Sequence, residues 1–187
     1  MEATATFVGL CWVTLIVVWL ISALSVKRAK ERQPLAGRVL YVGLTAIVAV
    51  LLNGGIREVP LTRVVLPHTL GTAIVADVIV LAGFVIAVWA RVVLGGNWSA
   101  RVTLKEDHEL IQRGPYRLVR HPIYSGLLVM ILGTAVLVGH VSGLVAVPIC
   151  FGGFWIKLRQ EEALLTRRLP GYSEYMARTK ALVPFLF

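Results

Sequence analysis

The chain has 187 residues, 57% of them hydrophobic and only 16% charged, with a mean hydropathy of +0.79 and a formal net charge of +9. A soluble domain carries roughly 25% charged residues, so this composition excludes a water-soluble globule and points to an all-α integral membrane protein. The positive surplus calls for no nucleic-acid partner, because its placement between apolar runs accounts for it.

Residues 7–26 (FVGLCWVTLIVVWLISALSV) carry no charge. At 1.5 Å per residue they span roughly 30 Å, the thickness of a bilayer core. The opening MEATAT lacks the basic n-region of a signal peptide, and Lys27, Arg28, Lys30 and Arg32 follow the run; it reads as a retained helix with its N-terminus outside. Residues 39–53 form a shorter second span and residues 69–90 a third, with Asp77 inside it. An acid in a span is a functional candidate by default, but Asp77 lies near the outer end of its span; a structural hydrogen bond to another helix, or access to water, is expected there. Residues 122–138 and 144–156 form the fourth and fifth spans. The glycine-bounded GHVSG (139–143) between them predicts an antiparallel helical hairpin. His68 and His140 fall in the outer loops and are expected to be solvated.

About five transmembrane helices in a single membrane domain result, with three spans in 1–93 and the chemistry-bearing residues in 94–187. Residues 27–38 hold five Lys/Arg, 91–120 six and 157–187 six, against two in 54–68. The positive-inside rule makes the richer side cytoplasmic, and anchoring to anionic lipid explains most of these charges. Cys11 and Cys150 both sit in spans and make neither a disulfide framework nor a metal site. No P-loop, zinc spacing or dinucleotide fingerprint is present, so no metal is expected.

The informative residues gather on the cytoplasmic side. In GPYRLVRHPIYSG (114–126), Pro122 suits the first position of a helix and His121 its cap. The free N–H groups of that first turn, with Arg117 and Arg120 nearby, make a site for a carboxylate or phosphate. A membrane-interface belt of Tyr and Arg is the other reading. Farther on, FWIKLRQEEALLTRR places Leu158, Leu164 and Leu165 around Glu161, which puts Glu161 on the apolar side of its helix and Glu162 nearer the edge. An inward carboxylate at a membrane boundary needs a partner or a ligand; Lys157, four residues earlier, is one candidate.

GPYRLVRHPIYSG, an apolar hairpin, EEALLTRRLPGYSEY and a late proline together resemble the isoprenylcysteine carboxyl methyltransferase family, and more broadly the membrane methyltransferases that include phospholipid N-methyltransferases. The resemblance covers roughly residues 95–187. It implies S-adenosylmethionine as methyl donor, with S-adenosylhomocysteine as product, in a cytoplasmic pocket that the C-terminal segment helps close. Carried over residue by residue, the cofactor contacts fall on His108, Glu109, Leu110, Ile111, Tyr116, His121, Pro122, Ile123, Tyr124 and Glu161. The family links an arginine four residues before that glutamate to the acceptor's carboxylate. Here the position holds Lys157, with Arg159 close by; a lysine keeps the charge but loses the two-pronged fork. LPGY (169–172) is a second departure, one residue shorter than the family's usual spacing.

The implied acceptor is a prenylcysteine-like lipophile reached from the bilayer. Its C-terminal carboxylate, with a pKa of about 3.5, is already an anion at neutral pH and needs no general base; none is assigned. An amine or thiol acceptor would need one, and His121 or Tyr124 would be nearest. The rival acceptors are a phospholipid amine, a thiol or another small lipophile. The rival of another class is a non-enzymatic membrane scaffold or transporter subunit. The expected location is the inner membrane of a prokaryote.

Overall fold

A computed structural model describes residues 2–24, 35–53, 60–98 and 110–184. All of the regular structure in them is helical: α1 (Glu2–Ala23), α2 (Leu35–Leu52), α3 (Leu70–Leu94), α4 (Pro122–Val138), α5 (Val141–Arg168) and the short α6 (Tyr172–Arg178), with 3₁₀ turns at Gly95–Asn97 and Gly114–Arg117. Among the described residues α1, α3 and α5 are long and apolar enough to cross a membrane, while Val42–Leu52 and α4 are shorter apolar stretches.

Local sequence explains most of the helix ends. Thr69 caps α3: its side chain accepts from Thr72 N–H at 3.2 Å, and Thr69 N–H donates back to Thr72 Oγ1 at 3.0 Å. Pro122 opens α4, and Gly139 closes it with φ 67°, a left-handed conformation that favours glycine. A side chain at Gly139 would also meet Leu66 O and His68 Nε2 at 2.8 Å. Here the 61–66 loop bonds to the α4–α5 turn, Val65 N–H donating to Gly139 O at 2.8 Å and Val141 N–H to Arg63 O at 3.0 Å.

The fifth helix departs from the expected span. Instead of ending at residue 156 it continues to Arg168, because 157–168 contains strong helix formers and no glycine or proline. It stops where Pro170 disfavours helical geometry at Leu169. At 1.5 Å per residue this helix is about 42 Å long, more than a bilayer core needs, so the glutamates ride on a rigid extension of the span. Pro148 lies within it on an exposed turn, as membrane helices tolerate.

The most intimate packing is between α3 and α4. A Cβ at Gly83 would lie 2.6 Å from Gly126 O and Met130 N, and one at Gly126 2.6 Å from Ala87 N. Backbones can meet this closely only where side chains are absent, and membrane helices associate in this way because lipid provides no hydrophobic drive between them. α1 packs on this pair through Val8, Cys11 and Leu15, while α2 packs on α5 through Val48, Leu51, Ala146 and Cys150. Outward-facing Val13, Ile16, Leu20, Val78, Val85 and Val92 are exposed, as a lipid-facing surface requires.

Arg91 is 2% exposed. It donates to Ser22 O and Gly95 O at 2.8 Å each and lies 4.7 Å over the Trp98 ring. Those carbonyls belong to the C-terminal ends of α1 and α3, where a cation complements the helix dipole. Asp77 is half-buried, and its Oδ1 is buried with no hydrogen-bond partner among the described residues. His140 is half-buried rather than solvated, with its ring 5.9 Å from that of exposed His68.

Candidate functional site

At the N-terminal end of α4, the turn at 114–117, the first turn of α4, the last third of α5 and the segment after α6 converge. His121 caps α4 without a side-chain cap bond, which frees its ring. Both ring nitrogens face carboxylates, Nδ1 3.6 Å from Glu161 Oε2 and Nε2 3.3 Å from Glu162 Oε1. The Tyr124 hydroxyl donates to Glu161 Oε1 at 2.7 Å. One turn apart on α4, the His121 and Tyr124 rings stack at 5.6 Å, and Tyr124 stacks on Phe154 of α5 at 4.9 Å. Lys157 Nζ lies 5.3 Å above the Tyr124 ring, within cation–π range.

The two glutamates are placed the other way round from the sequence reading. Glu162 is the buried one, at 4% exposure, while the Glu161 side chain is 18% exposed. Flanking leucines suggest Glu161, but the inward stripe of α5 runs Ala146, Cys150, partly buried Phe154 and Leu158 in steps of four, and the next step is Glu162. That spacing was the available signal. Burial of Glu162 is matched by charge: Arg120 Nε donates to its Oε1 at 2.7 Å. Arg120 therefore finds its carboxylate inside the protein, while Arg117 is exposed.

Among the other residues singled out, Pro122 and Ile123 are buried at the start of α4. Ile111 packs with Tyr116, Ala90 and Ile123, and Leu110 approaches Gly171. Tyr116 is buried, its hydroxyl donating to Ala90 O at 3.4 Å; burial raises its pKa, so it stays a neutral donor. Arg159 is exposed on α5, apart from the stacked rings. His108 and Glu109 lie outside the described residues.

Chemically, the cluster offers one buried carboxylate engaged by a guanidinium and one partly exposed carboxylate held by a phenol beside an imidazole. A continuous wall of stacked rings lies beside them. The open carboxylate can accept from hydroxyls or offset a cation, and the rings can bound a flat or apolar group. The surrounding helices are apolar, so a ligand here meets both aqueous and lipid-like surroundings.

Known proteins share this region. The family model described as isoprenylcysteine carboxyl methyltransferase (ICMT) matches residues 74–167, which include the whole of α4 and both glutamates. A probable protein-S-isoprenylcysteine O-methyltransferase of Oryza sativa subsp. indica is 34% identical over 113 residues, 58% of this chain and 59% of that one. The nickel-cobalt-cadmium resistance protein NccN of Alcaligenes xylosoxydans xylosoxydans is 30% identical over 95 residues, 50% of this chain and 45% of that one. The chain thus spans about half to three-fifths of the length of these curated relatives. A solved structure of the eukaryotic intramembrane Ras methyltransferase ICMT superposes with a TM-score of 0.60 at 20% identity, covering 78% of this chain and 52% of that one, which shows a shared fold.

Proposed function

The chain belongs to the isoprenylcysteine carboxyl methyltransferase family, and from that premise we propose that it methylates a lipophilic acceptor with S-adenosylmethionine, the acceptor being the C-terminal carboxylate of a prenylated cysteine. The observation that carries this reading is the Tyr124–Glu161–His121 cluster at the head of α4, inside the stretch that the family model matches.

The residues present suit the donor. Glu161 is a partly exposed carboxylate held in place by Tyr124, with the His121 ring beside it, fit to accept from ribose hydroxyls or to offset a positive charge. Leu110 and Ile111, with the flat Tyr124 ring, supply apolar wall. When bound, S-adenosylmethionine supplies a methyl group already activated by its sulfonium. His108 and Glu109 complete the proposed cofactor set. Lys157, with Arg159 on the outer face of the same helix, is assigned to the acceptor's carboxylate.

For an acceptor that is already an anion, the protein's task is to position it and exclude water. The stacked aromatic wall and the apolar helices serve both ends. An amine or thiol acceptor would instead have to give up a proton. The whole chain is read as one membrane domain, with this site on the cytoplasmic side as the basic loops indicate, the N-terminus outside, and a prokaryotic inner membrane as host.

Calorimetry on the detergent-solubilised protein, followed by transfer of labelled methyl to a prenylated-cysteine analogue, tests the proposal. Absence of binding by both S-adenosylmethionine and S-adenosylhomocysteine would favour a non-enzymatic scaffold. Binding with methyl transfer only to a phospholipid amine or a thiol would replace the acceptor.

A further inference from the structure

We propose that Arg120 is a positioning residue: its guanidinium pins the C-terminal strap, residues 179–182, across the start of α4 and thereby sets how readily the site opens. The strap is stitched on by backbone first. Arg120 N–H donates to Lys180 O at 2.8 Å and His121 N–H to Ala181 O at 2.9 Å, with Val119 and Lys180 paired in parallel. Beyond them the strap is seated by Ala181 and Leu182, buried against Leu158, and by the Ser125 hydroxyl donating to Leu182 O at 2.5 Å; what these leave untied is its other end, where it leaves α6.

The Arg120 side chain supplies what the backbone lacks. Its Nε is on Glu162, and its Nη1 reaches Met176 O at 3.3 Å and also Thr179 O. Those carbonyls close the C-terminal end of α6, where the chain turns into the strap. One planar group thus ties α5, α6 and the strap to the residue preceding His121, a fork that a lysine cannot reproduce. Glu162 is committed to this tie and buried by it, which leaves its partly exposed neighbour Glu161 for ligand. Two adjacent acids divide the work, one holding the strap and one facing the site.

The consequence for cofactor release rests on the proposed function; the pin itself does not. Hydrogen exchange on the full-length protein without ligand reads the pin, because the Arg120 and His121 amides are the donors to the strap. In Arg120→Ala those amides should exchange at least tenfold faster while amides of α3 and α4 keep wild-type protection, and Arg120→Lys should recover only part of the protection. With S-adenosylhomocysteine bound, Arg120→Ala should release it about tenfold faster, whereas Arg117→Ala, at an exposed neighbour, should match wild type. Wild-type exchange in Arg120→Ala, loosening that extends to α3 and α4, or a loosened strap with unchanged release would each overturn the proposal. If wild-type protein binds no S-adenosylhomocysteine, the cofactor reading fails, and exchange alone still decides the pin.

Discussion

Tyr124 and Glu161 meet across the α4–α5 interface, the phenol donating to the carboxylate at 2.7 Å although the residues are 37 apart in the chain. The bond fixes the open glutamate beside the His121 ring, so the two sides of the proposed cofactor site depend on one another. Glu161→Gln keeps an acceptor for the phenol and loses the charge. It should weaken S-adenosylhomocysteine binding at least tenfold, because bonds to a charged group are worth about 1.5–3 kcal/mol. Tyr124→Phe leaves the carboxylate's charge and removes only the bond that positions it, so it should weaken binding less than Glu161→Gln does. His121→Ala should weaken binding as well. Titration calorimetry measures all three; wild-type affinity in both Glu161→Gln and His121→Ala would refute the pocket.

Lys157 separates acceptor from cofactor. It sits above the Tyr124 ring one turn before Glu161, and a point charge there can attract an anion without the geometry of a fork. Lys157→Ala should raise the acceptor KM about tenfold and leave cofactor affinity within twofold of wild type. Lys157→Arg should lower the KM for a carboxylate acceptor and do nothing for an amine. Steady-state kinetics with a prenylcysteine analogue provide the comparison, and a fall in cofactor affinity in Lys157→Ala would move this residue to the other ligand.

How much of this was legible in the sequence depended on whether the signal was local. The ends of α4 could be read because Pro122 and Gly139 act on their own backbone. The end of α5 could not, since hydropathy fades after residue 156 while helix formers carry the helix on to Arg168. Which glutamate faces inward was misread because leucines flank both, and only the stripe from Cys150 through Leu158 distinguishes them. The strap left no mark at all: its pairing with 119–121 is two residues long and joins segments about 60 apart, without a strand's alternation.

The glycine contact between α3 and α4 makes a stability prediction. A Cβ at Gly126 would stand 2.6 Å from Ala87 N and 2.7 Å from Gly83 O, both backbone atoms with little room to yield. Gly126→Ala should therefore destabilise the protein by about 1–3 kcal/mol, as overpacking does. Because His121 and Pro122 lie about one turn away on the same helix, activity should fall with it. Gly152→Ala meets nothing within 4 Å and should be neutral. Thermal unfolding in detergent compares the pair, and equal midpoints would show that the helices separate at little cost.

Alkaline pH probes how α6 is seated. Tyr175 is buried on α6 and donates to Tyr116 O at 2.6 Å. Burial above all pushes its hydroxyl up to about 12, against the nearby Arg120 charge, which lowers it; an unfolded tyrosine titrates near 10. A group whose folded pKa is raised favours the folded state in its protonated form. This contribution is complete below about pH 10 and is lost between about 10 and 12. Wild-type protein should lose thermal stability through that window, and Tyr175→Phe should flatten the loss while costing about 1 kcal/mol at neutral pH. The absorbance difference at about 295 nm between wild type and Tyr175→Phe follows the hydroxyl directly. A midpoint near 10 would mean that the hydroxyl is open to water and α6 is not seated against the 114–119 turn.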